Sequence, residues 1–311
     1  MIAVDWGSTH LRLYRIDADG TLRERRRSDR GTQASRDRHG EVLAEALVGW
    51  DDDTVLLCGM VGARGGWHEM PYLDCPTGLD DLAAGLQRIH PPGFEDRALW
   101  LVPGLRDTVS DLVPDAMRGE ETQLAALLDV LPGGVHRVCL PGTHSKWVTI
   151  HDGRIQRIHT AMTGEVYALL RTHSLLGALM SGDDGRFDGY AFDAGLRRSG
   201  DAGGLLHHLF GVRTTGLSGE FGESALPSYL SGLLIGHELR GGALSQKGPR
   251  PAQIHLVGSE RLLAAYARAL TTLDIGVQRH PEDLAARGLH ALWRRRTDTV
   301  AATSPTALAT D

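Results

Sequence analysis

The sequence predicts an α/β fold built from two related halves, and three observations support this. The first is a pair of similar segments. Ile2-Ala3-Val4-Asp5-Trp6-Gly7-Ser8-Thr9-His10-Leu11-Arg12-Leu13-Tyr14 opens the chain, and Val138-Cys139-Leu140-Pro141-Gly142-Thr143-His144-Ser145-Lys146-Trp147-Val148-Thr149-Ile150 stands near its middle. Each reads as an apolar strand, a turn of Gly with Ser or Thr, and a second strand of β-prone residues. The second observation is order. In each half a three-strand meander comes first, and helices and further strands follow. A Rossmann fold would run strand, helix, strand from the start, and neither GxGxxG nor GxxxxGK[ST] occurs. The third is size: 311 residues, 41% of them apolar, suffice for two domains that each bury a core.

The elements follow in order. Residues 2–6, 11–17 and 21–26 read as the first meander, with Leu11, Leu13, Tyr14 and Ile16 set among polar partners. Residues 40–48 carry Val42, Leu43, Ala46 and Leu47 at helical spacing. Thr54 to Cys58 is a buried strand ending at Gly59. A helix at 79–89, a strand at 98–102 and a helix at 120–131 complete a first domain, 1–132, and Pro132-Gly133-Gly134 marks the boundary. Strands at 135–140, 145–151 and 154–161, with a turn at Asp152-Gly153, form the second meander. Helices are expected at 164–172, 188–199, 202–210 and 223–240, the last with Leu226, Leu230, Leu233 and Leu234 on one side. A strand at 253–257, a helix at 259–271, a strand at 275–279 and a helix at 282–293 close a second domain, 133–293. The tail 294–311, rich in Thr, Ala and Ser, is expected to fray.

Composition excludes several classes. A net charge of −6 leaves no excess of cations for nucleic acid. The run from Arg23 to Arg30 is broken by Glu24 and Asp29 and reads as a solvated hairpin end. Cys58, Cys75 and Cys139 are widely spaced without a CxxC, which suits reduced thiols. The fifteen histidines are scattered, and His207-His208 and His237-Glu238 do not make HExxH, so no dedicated zinc site is expected. No apolar run is long enough for a membrane span, and no secretory signal opens the chain. A cytoplasmic protein with no membrane partner is the expectation; a homodimer is left open.

The two Gly turns point to chemistry. Glycine lets the backbone approach a bound group, and neighbouring amides and hydroxyls can wrap an anion. Gly7, Ser8 and Thr9 are one candidate phosphate grip; Gly142, Thr143, His144 and Ser145 are the other, and together they suit a nucleotide held in a cleft between two related domains. Asp5 ends its strand just before the first turn and is placed to reach Mg²⁺ through water. Glu120-Glu121-Thr122 opens an apolar-periodic helix. Acidic residues there are favoured by the helix dipole, and they can also serve as proton acceptors.

The order of Asp5-Trp6-Gly7-Ser8-Thr9, Gly142-Thr143-His144-Ser145 and Val257-Gly258-Ser259 resembles the phosphate-1, phosphate-2 and adenosine motifs of the sugar kinase/Hsp70/actin superfamily. Gly59-Met60-Val61-Gly62-Ala63-Arg64-Gly65-Gly66-Trp67-His68-Glu69, Tyr72-Leu73-Asp74-Cys75-Pro76 and Met117-Arg118-Gly119-Glu120-Glu121-Thr122-Gln123 narrow it further. With Leu140-Pro141-Gly142-Thr143-His144-Ser145-Lys146-Trp147, Met162-Thr163-Gly164-Glu165 and Leu230-Ser231-Gly232-Leu233-Leu234-Ile235-Gly236, these strings resemble the 2-dehydro-3-deoxygalactonokinase family from residue 2 to about 293. His10 departs from the small polar residue expected there. The resemblance implies two duplicated ribonuclease H-like domains of the actin-like ATPase fold, ATP as co-substrate, Mg²⁺, and transfer of a phosphoryl group to the 6-hydroxyl of 2-dehydro-3-deoxy-D-galactonate in galactonate breakdown. A kinase for another sugar or 2-keto-3-deoxy sugar acid, or an actin-like nucleotide-binding scaffold, is the alternative.

The resemblance also implies roles. Set against the superfamily pattern Asn-Asp-Ala-Asn, Glu121 falls on the general base, with Glu120 the close alternative. Gly258 and Ser259 would meet adenosine. A keto-acid needs a partner for its carboxylate; Arg64 can supply a bidentate one, with Trp67 and Tyr72 as walls and Arg118 as a second candidate. Lys146 either faces phosphate or points outward from its strand. Glu165, at a helix start, is a cap or an acceptor for a substrate hydroxyl.

Overall fold

The computed structural model describes residues 1–108, 113–180, 187–243, 251–281 and 283–303. The chain divides into two compact units. The first holds Met1–Val135, Thr149–Ile158 and the stretch from Asp283 onward; the second holds His136–Val148 and His159–Glu282. The boundary read at 132–134 thus falls beside the end of the first long segment, while two later stretches group with the first unit.

In the first unit β1 (Ile2–Trp6), β2 (Leu11–Ile16) and β3 (Leu22–Ser28) form the antiparallel meander. Then come α1 (His39–Ala46), β4 (Thr54–Gly59), β5 (Tyr72–Asp74), β6 (Thr77–Gly78), α2 (Leu79–Ala84), β7 (Gln87–Ile89), β8 (Ala98–Leu101), β9 (Gly104–Asp107), β10 (Asp115–Met117) and α3 (Glu120–Leu128). The main sheet runs β3-β2-β1-β4-β8-β7, with β4 parallel to both β1 and β8. β9 lies between β10 and β5 in a separate small sheet. Central β1 is buried except at Asp5, as a strand covered on both faces must be. Ile2, Val4 and Trp6 pack with Val42 and Leu43 of α1. β3 is an edge strand, and its arginines protect it from pairing further. Arg26 lies over the Trp50 ring at 4.1 Å and donates to the carbonyls of Ala46 and Val48, while Arg30 pairs with Glu45.

The helix expected over 79–89 stops at Ala84. Leu79, Leu82 and Leu86 carry helical spacing up to Ile89, but Gly85 ends the helix, and Gln87–Ile89 pairs antiparallel with β8. Ile89 is therefore buried from a strand rather than from a helix face.

The second unit is built from β11 (Val135–Leu140), β12 (Ser145–His151), β13 (Arg154–Ala161), α4 (Thr163–His173), α5 (Gly189–Arg198), α6 (Gly204–Leu217), α7 (Leu226–Glu238), β14 (Gln253–Val257), α8 (Glu260–Thr272) and β15 (Gly276–His280). Its strands run β13-β12-β11-β14-β15, with β14 parallel to both β11 and β15. That order matches β3-β2-β1-β4-β8 strand for strand, the duplicated ribonuclease H-like plan of the actin-like fold. The far ends of β12 and β13 group with the first unit, where Ile155 pairs with Thr77 of β6. α6 starts later than expected and continues past Gly211 to Leu217.

The expected tail is not frayed where it is described. α9 (Leu284–Thr303) is one continuous helix; Leu289 and Leu292 are fully buried, and Trp293 meets the Trp100 ring at 5.8 Å. Arg294 pairs with Asp129 at 2.9 Å, and Arg295 with Asp80 at 2.9 Å, so the helix is anchored beyond residue 293. Residues 304–311 of that tail, and residue 282 at the start of the helix expected over 282–293, lie outside the described residues. Among the described residues no helix is long and apolar enough to cross a membrane.

α9 packs on α3 and on β1 and β4. The approach is close at Gly288, where an added Cβ would lie 1.7 Å from the Thr122 carbonyl oxygen. Gly288→Val should push α9 off the start of α3 and cost about 1–3 kcal/mol, the usual scale of overpacking. Urea unfolding checks this: an unshifted midpoint would mean that the two helices separate without strain.

Candidate active site

Gly7, Ser8 and Thr9 form the β1–β2 turn, closed by the Gly7 amide donating to the His10 carbonyl at 3.0 Å. The turn is held from behind by the segment after β3. Thr32 N–H donates to Gly7 O at 2.9 Å, Gln33 N–H to Ser8 O at 3.3 Å and Gly31 N–H to Thr9 O at 3.1 Å. Trp6 Nε1 and Ser35 Oγ both donate to the Arg30 carbonyl and fix that segment. The turn's carbonyls are thus occupied. The amides and hydroxyls of Ser8 and Thr9 meet no hydrogen-bonding partner among the described residues, which leaves donors for an anion. His10, the departure from the family pattern, pairs with Asp29 at 3.0 Å, and Arg27 lies 3.3 Å from its other ring nitrogen.

Asp5 stands one residue before Trp6 and is in register with Arg12 on β2 and Cys58 on β4. Arg12 Nη1 donates to its Oδ2 at 3.1 Å. Burial pushes the Cys58 thiol well up, and the charges of Asp5 and Glu121 add to the effect, so both carboxylates lie within electrostatic reach of one neutral thiol. Gly119, at φ +107°, brings the start of α3 against the end of β4; a Cβ there would lie 3.3 Å from the Gly59 Cα. Thr122 Oγ1 donates to Gly119 O at 2.5 Å and lies 3.4 Å from Cys58 Sγ.

The two candidate bases differ in environment. Glu121 is fully buried. Its Oε2 accepts from Gly119 N–H at 2.6 Å, and its Oε1 has no partner among the described residues. Burial, aided by the Glu120 charge, pushes its pKa up to about 8. Glu120 is half-buried, and its Oε2 accepts from Arg118 N–H at 3.1 Å.

The predicted carboxylate partners separate. Arg64 is exposed and meets no partner among the described residues. Arg118 is only partly engaged: Nη2 donates to Met70 O at 2.7 Å and its guanidinium covers the Tyr72 ring at 4.3 Å, while the buried Nε and Nη1 have no hydrogen-bonding partner among the described residues. Tyr72 therefore stands with Arg118. Trp67 belongs elsewhere, stacked on His39 at 6.3 Å and edge-on to Trp6 and Phe94. It lines a cavity of about 440 Å³ together with Arg36, Asp37, His39, Gly40, Gly65 and Gly66. Nothing in the sequence marked 36–40 as lining a cavity; the only signal was the Gly-rich loop that lines it as well.

In the second unit Gly142, Thr143 and His144 form the β11–β12 turn. Glu165 N–H donates to Thr143 O at 2.9 Å, and α4 approaches so closely that a Cβ on Gly164 would lie 2.3 Å from Gly142 O. The Glu165 carboxylate meets His144 Nε2 at 2.5 Å, so it sits on the turn. Ser145 lies beneath the turn. It is fully buried, with Oγ 2.8 Å from the Tyr266 hydroxyl, which donates to Glu238 at 2.7 Å; Trp147 Nε1 donates to the other Glu238 oxygen at 2.6 Å. Lys146 is also buried, with Nζ donating to Thr160 Oγ1 at 2.9 Å. Gly258 faces Pro141 O, just before the turn, and Ser259 is the N-cap residue of α8. Beside Gly142 and α8 opens a cavity of about 410 Å³, with Tyr167, Phe187, Leu234, Leu262 and Arg261 in its lining.

The donors around Asp5 fit Mg²⁺. They are carboxylate oxygens beside a neutral thiol, and Mg²⁺ is held by one or two carboxylates, waters and substrate phosphates rather than by a protein cage. Among the described residues no group of three or more His, Cys, Asp or Glu could form such a cage.

The chain is similar to known proteins over most of its length. The chain is 36% identical over 301 residues to a Rhizobium meliloti (strain 1021) protein assigned as 2-dehydro-3-deoxygalactonokinase, covering 94% of this chain and 96% of that one. It is 34% identical over 279 residues to the 2-dehydro-3-deoxygalactonokinase of Escherichia coli (strain K12), covering 89% and 91%. A solved Sinorhizobium meliloti structure assigned to the same kinases superposes with a TM-score of 0.86 at 34% identity, over 94% of this chain and 98% of that one. The activator of 2-hydroxyisocaproyl-CoA dehydratase from Clostridium difficile shares the fold alone, at a TM-score of 0.51 and 12% identity over 99% of each chain. The family described as 2-keto-3-deoxy-galactonokinase matches residues 5–292, and the chain belongs to it.

Proposed function

We propose that the chain transfers the γ-phosphoryl group of ATP to the 6-hydroxyl of 2-dehydro-3-deoxy-D-galactonate in galactonate breakdown. The observation that carries the nucleotide part is the first turn, whose carbonyls are tied back while the donors of Ser8 and Thr9 stay available beside Asp5. The names of the relatives support the substrate. A cytoplasmic location follows from this reading.

Phosphoryl transfer is mainly positioning and charge neutralisation. In this reading Gly7, Ser8 and Thr9 hold phosphate oxygens, and Gly142 and Thr143 offer a second grip. The apolar cavity beside Gly142 and α8 suits the adenosine. Mg²⁺, when bound through Asp5 and water, supplies positive charge to the phosphates. Arg64, exposed and unpaired among the described residues, is the cation offered to the acid's carboxylate. The proton acceptor belongs to the start of α3. Register favours Glu121; burial favours Glu120, because Glu121 is sealed and mostly protonated at neutral pH. Glu121 then serves as a neutral acid that holds the Gly119 bend.

A coupled assay with ATP and a panel of sugars and 2-keto-3-deoxy acids tests the reading. The galactonate derivative should give the highest kcat/KM; ATP turnover indifferent to every sugar acid would overturn it in favour of a nucleotide-driven scaffold.

Two predictions concern residues. Arg64→Ala should raise KM for the sugar acid roughly 10- to 150-fold, the value of a charge-assisted hydrogen bond, and leave KM for ATP nearly unchanged. Equal effects on both substrates would mean a structural role. Glu120→Gln should lower kcat by ~10²–10⁴ with both substrates still bound, while Glu121→Gln should cost less; the reverse ranking would return the role to Glu121. Glu121→Gln has a second readout. The raised folded pKa means that this residue's favourable contribution is complete below the unfolded pKa and is lost as pH rises towards 8. Glu121→Gln should therefore match the wild type in Tm at pH 4.5 and exceed it at pH 8, by on the order of 3 kcal/mol in stability. Parallel Tm profiles across that window would show that Glu121 is not held protonated.

A further inference from the structure

Glu238 is a buried carboxylate that the phosphoryl transfer described above does not use. It is the last residue of α7 and only 8% exposed. The helix dipole is negative at that end, so the acid gains nothing from its own helix. A buried charge is expensive, and a well-packed apolar residue of similar size is often at least as stable in its place. Stability alone does not account for a carboxylate here.

Its partners come from the other elements of the second unit. Trp147 Nε1 of β12 donates to Oε1 at 2.6 Å, and the Tyr266 hydroxyl of α8 donates to Oε2 at 2.7 Å. Burial pushes the Glu238 pKa up, and hydrogen bonds from Thr163, Tyr266, Trp147 and Ser145 oppose that rise. Thr163 opens α4. One group that can only accept when ionised thus gathers donors from β12, α4 and α8 onto α7. It also fixes the sense of the hydrogen bonds. Tyr266 gives its proton to Glu238, so Ser145, 2.8 Å from that hydroxyl, acts as a donor and not as an acceptor from it.

The same elements wall the apolar cavity of about 410 Å³. α4 lines it with Thr163, α7 with Leu234 and Ile235, and α8 with Leu262 and Tyr266, while Gly142 of the second turn completes the lining. Two donors to the carboxylate, Thr163 and Tyr266, are therefore themselves cavity wall. Thr163 directly precedes Gly164, which presses on Gly142 O, and Glu165, whose amide holds Thr143 O. Ser145 directly follows the turn. A change at this one carboxylate is thus transmitted both to the cavity wall and to the second phosphate grip.

We propose that Glu238 is a positioning residue for ATP: its carboxylate ties α4, α8 and β12 to α7, and so holds the adenosine cavity and the Gly142-Thr143 turn in one fixed geometry. This role rests on the kinase reading above and adds to it a residue that touches neither substrate.

The test uses full-length Glu238→Gln, Tyr266→Phe and the double variant. Glutamine keeps the shape and turns one acceptor into a donor; phenylalanine keeps the ring in the cavity wall and removes only the hydroxyl. Each single variant should raise KM for ATP about tenfold or more, with KM for 2-dehydro-3-deoxy-D-galactonate within twofold of the wild type. ADP with Mg²⁺, titrated by calorimetry without any acceptor, should bind each variant correspondingly more weakly. Both substitutions break one network, so the double variant should weaken ADP binding by much less than the product of the single effects. Wild-type KM for ATP in either folded variant, a loss shared equally by both substrates, or multiplicative effects in the double variant overturns the proposal. If Glu238→Gln does not fold, Tyr266→Phe decides through the KM split and the ADP titration. Failure of the kinase reading looks different: the wild type would phosphorylate no sugar acid, and the ADP titrations alone would then decide the role of Glu238. A wild type that binds no ADP overturns both.

Discussion

A β-hairpin turn normally presents carbonyls and amides together, and an anion is repelled by the first as much as it is drawn by the second. In this chain the carbonyls of Gly7, Ser8 and Thr9 are withdrawn by amides of residues 31–33. Much else in the first unit follows from that restraint. Residues 31–33 can reach the turn only because Arg30 is pinned by Trp6 and Ser35. The same segment runs on into His39, which closes on Trp6, and Trp6 in turn supports Trp67. A backbone requirement at the turn therefore determines where the aromatic wall of the neighbouring cavity stands. The second unit uses a related restraint, with the start of α4 tying back Thr143, and beneath it a buried Glu238 holds β12, α7 and α8 together through Trp147 and Tyr266.

The two units share a strand order and differ in what is attached to it. The first carries polar additions: the loop after β4, the small sheet of β5, β9 and β10, and the acidic start of α3. The second carries a helical layer around a largely apolar cavity. One plan has thus been furnished once with polar loops and once with an apolar helical layer, and no strand had to be rearranged.

The long strands were legible because apolar runs and Gly turns leave strong local signals. β14 was read to the residue, and the meanders nearly so. Short strands were not: β5, β9 and β10 carry too few residues for alternation to register, and β7 was absorbed into a helical pattern because Leu86 and Ile89 keep its spacing. At the site, Gly7 to Thr9 and Gly142 to His144 were legible as turns, and the acids at the start of α3 as a helix start. Ser145 was not, because a hydroxyl beside a phosphate-like turn looks the same in sequence whether its strand directs it up to the turn or down to Tyr266. His39 and Asp37 were invisible for a different reason. Their partner, Trp67, is distant in sequence, and a cavity wall assembled by tertiary packing has no periodicity to read.

α9 also bears on how the protein is made. Its residues follow the whole second unit in sequence, yet it covers the strands and helix of the first. During synthesis β1, β4 and α3 emerge early with an apolar face that stays bare until nearly the entire chain has left the ribosome. The second unit, complete by residue 282, can close before the first. Assembly of the N-terminal half is therefore the late event, dominated by contacts of long sequence separation and correspondingly slow, and the bare face of β1 and β4 is the surface on which a chaperone would act.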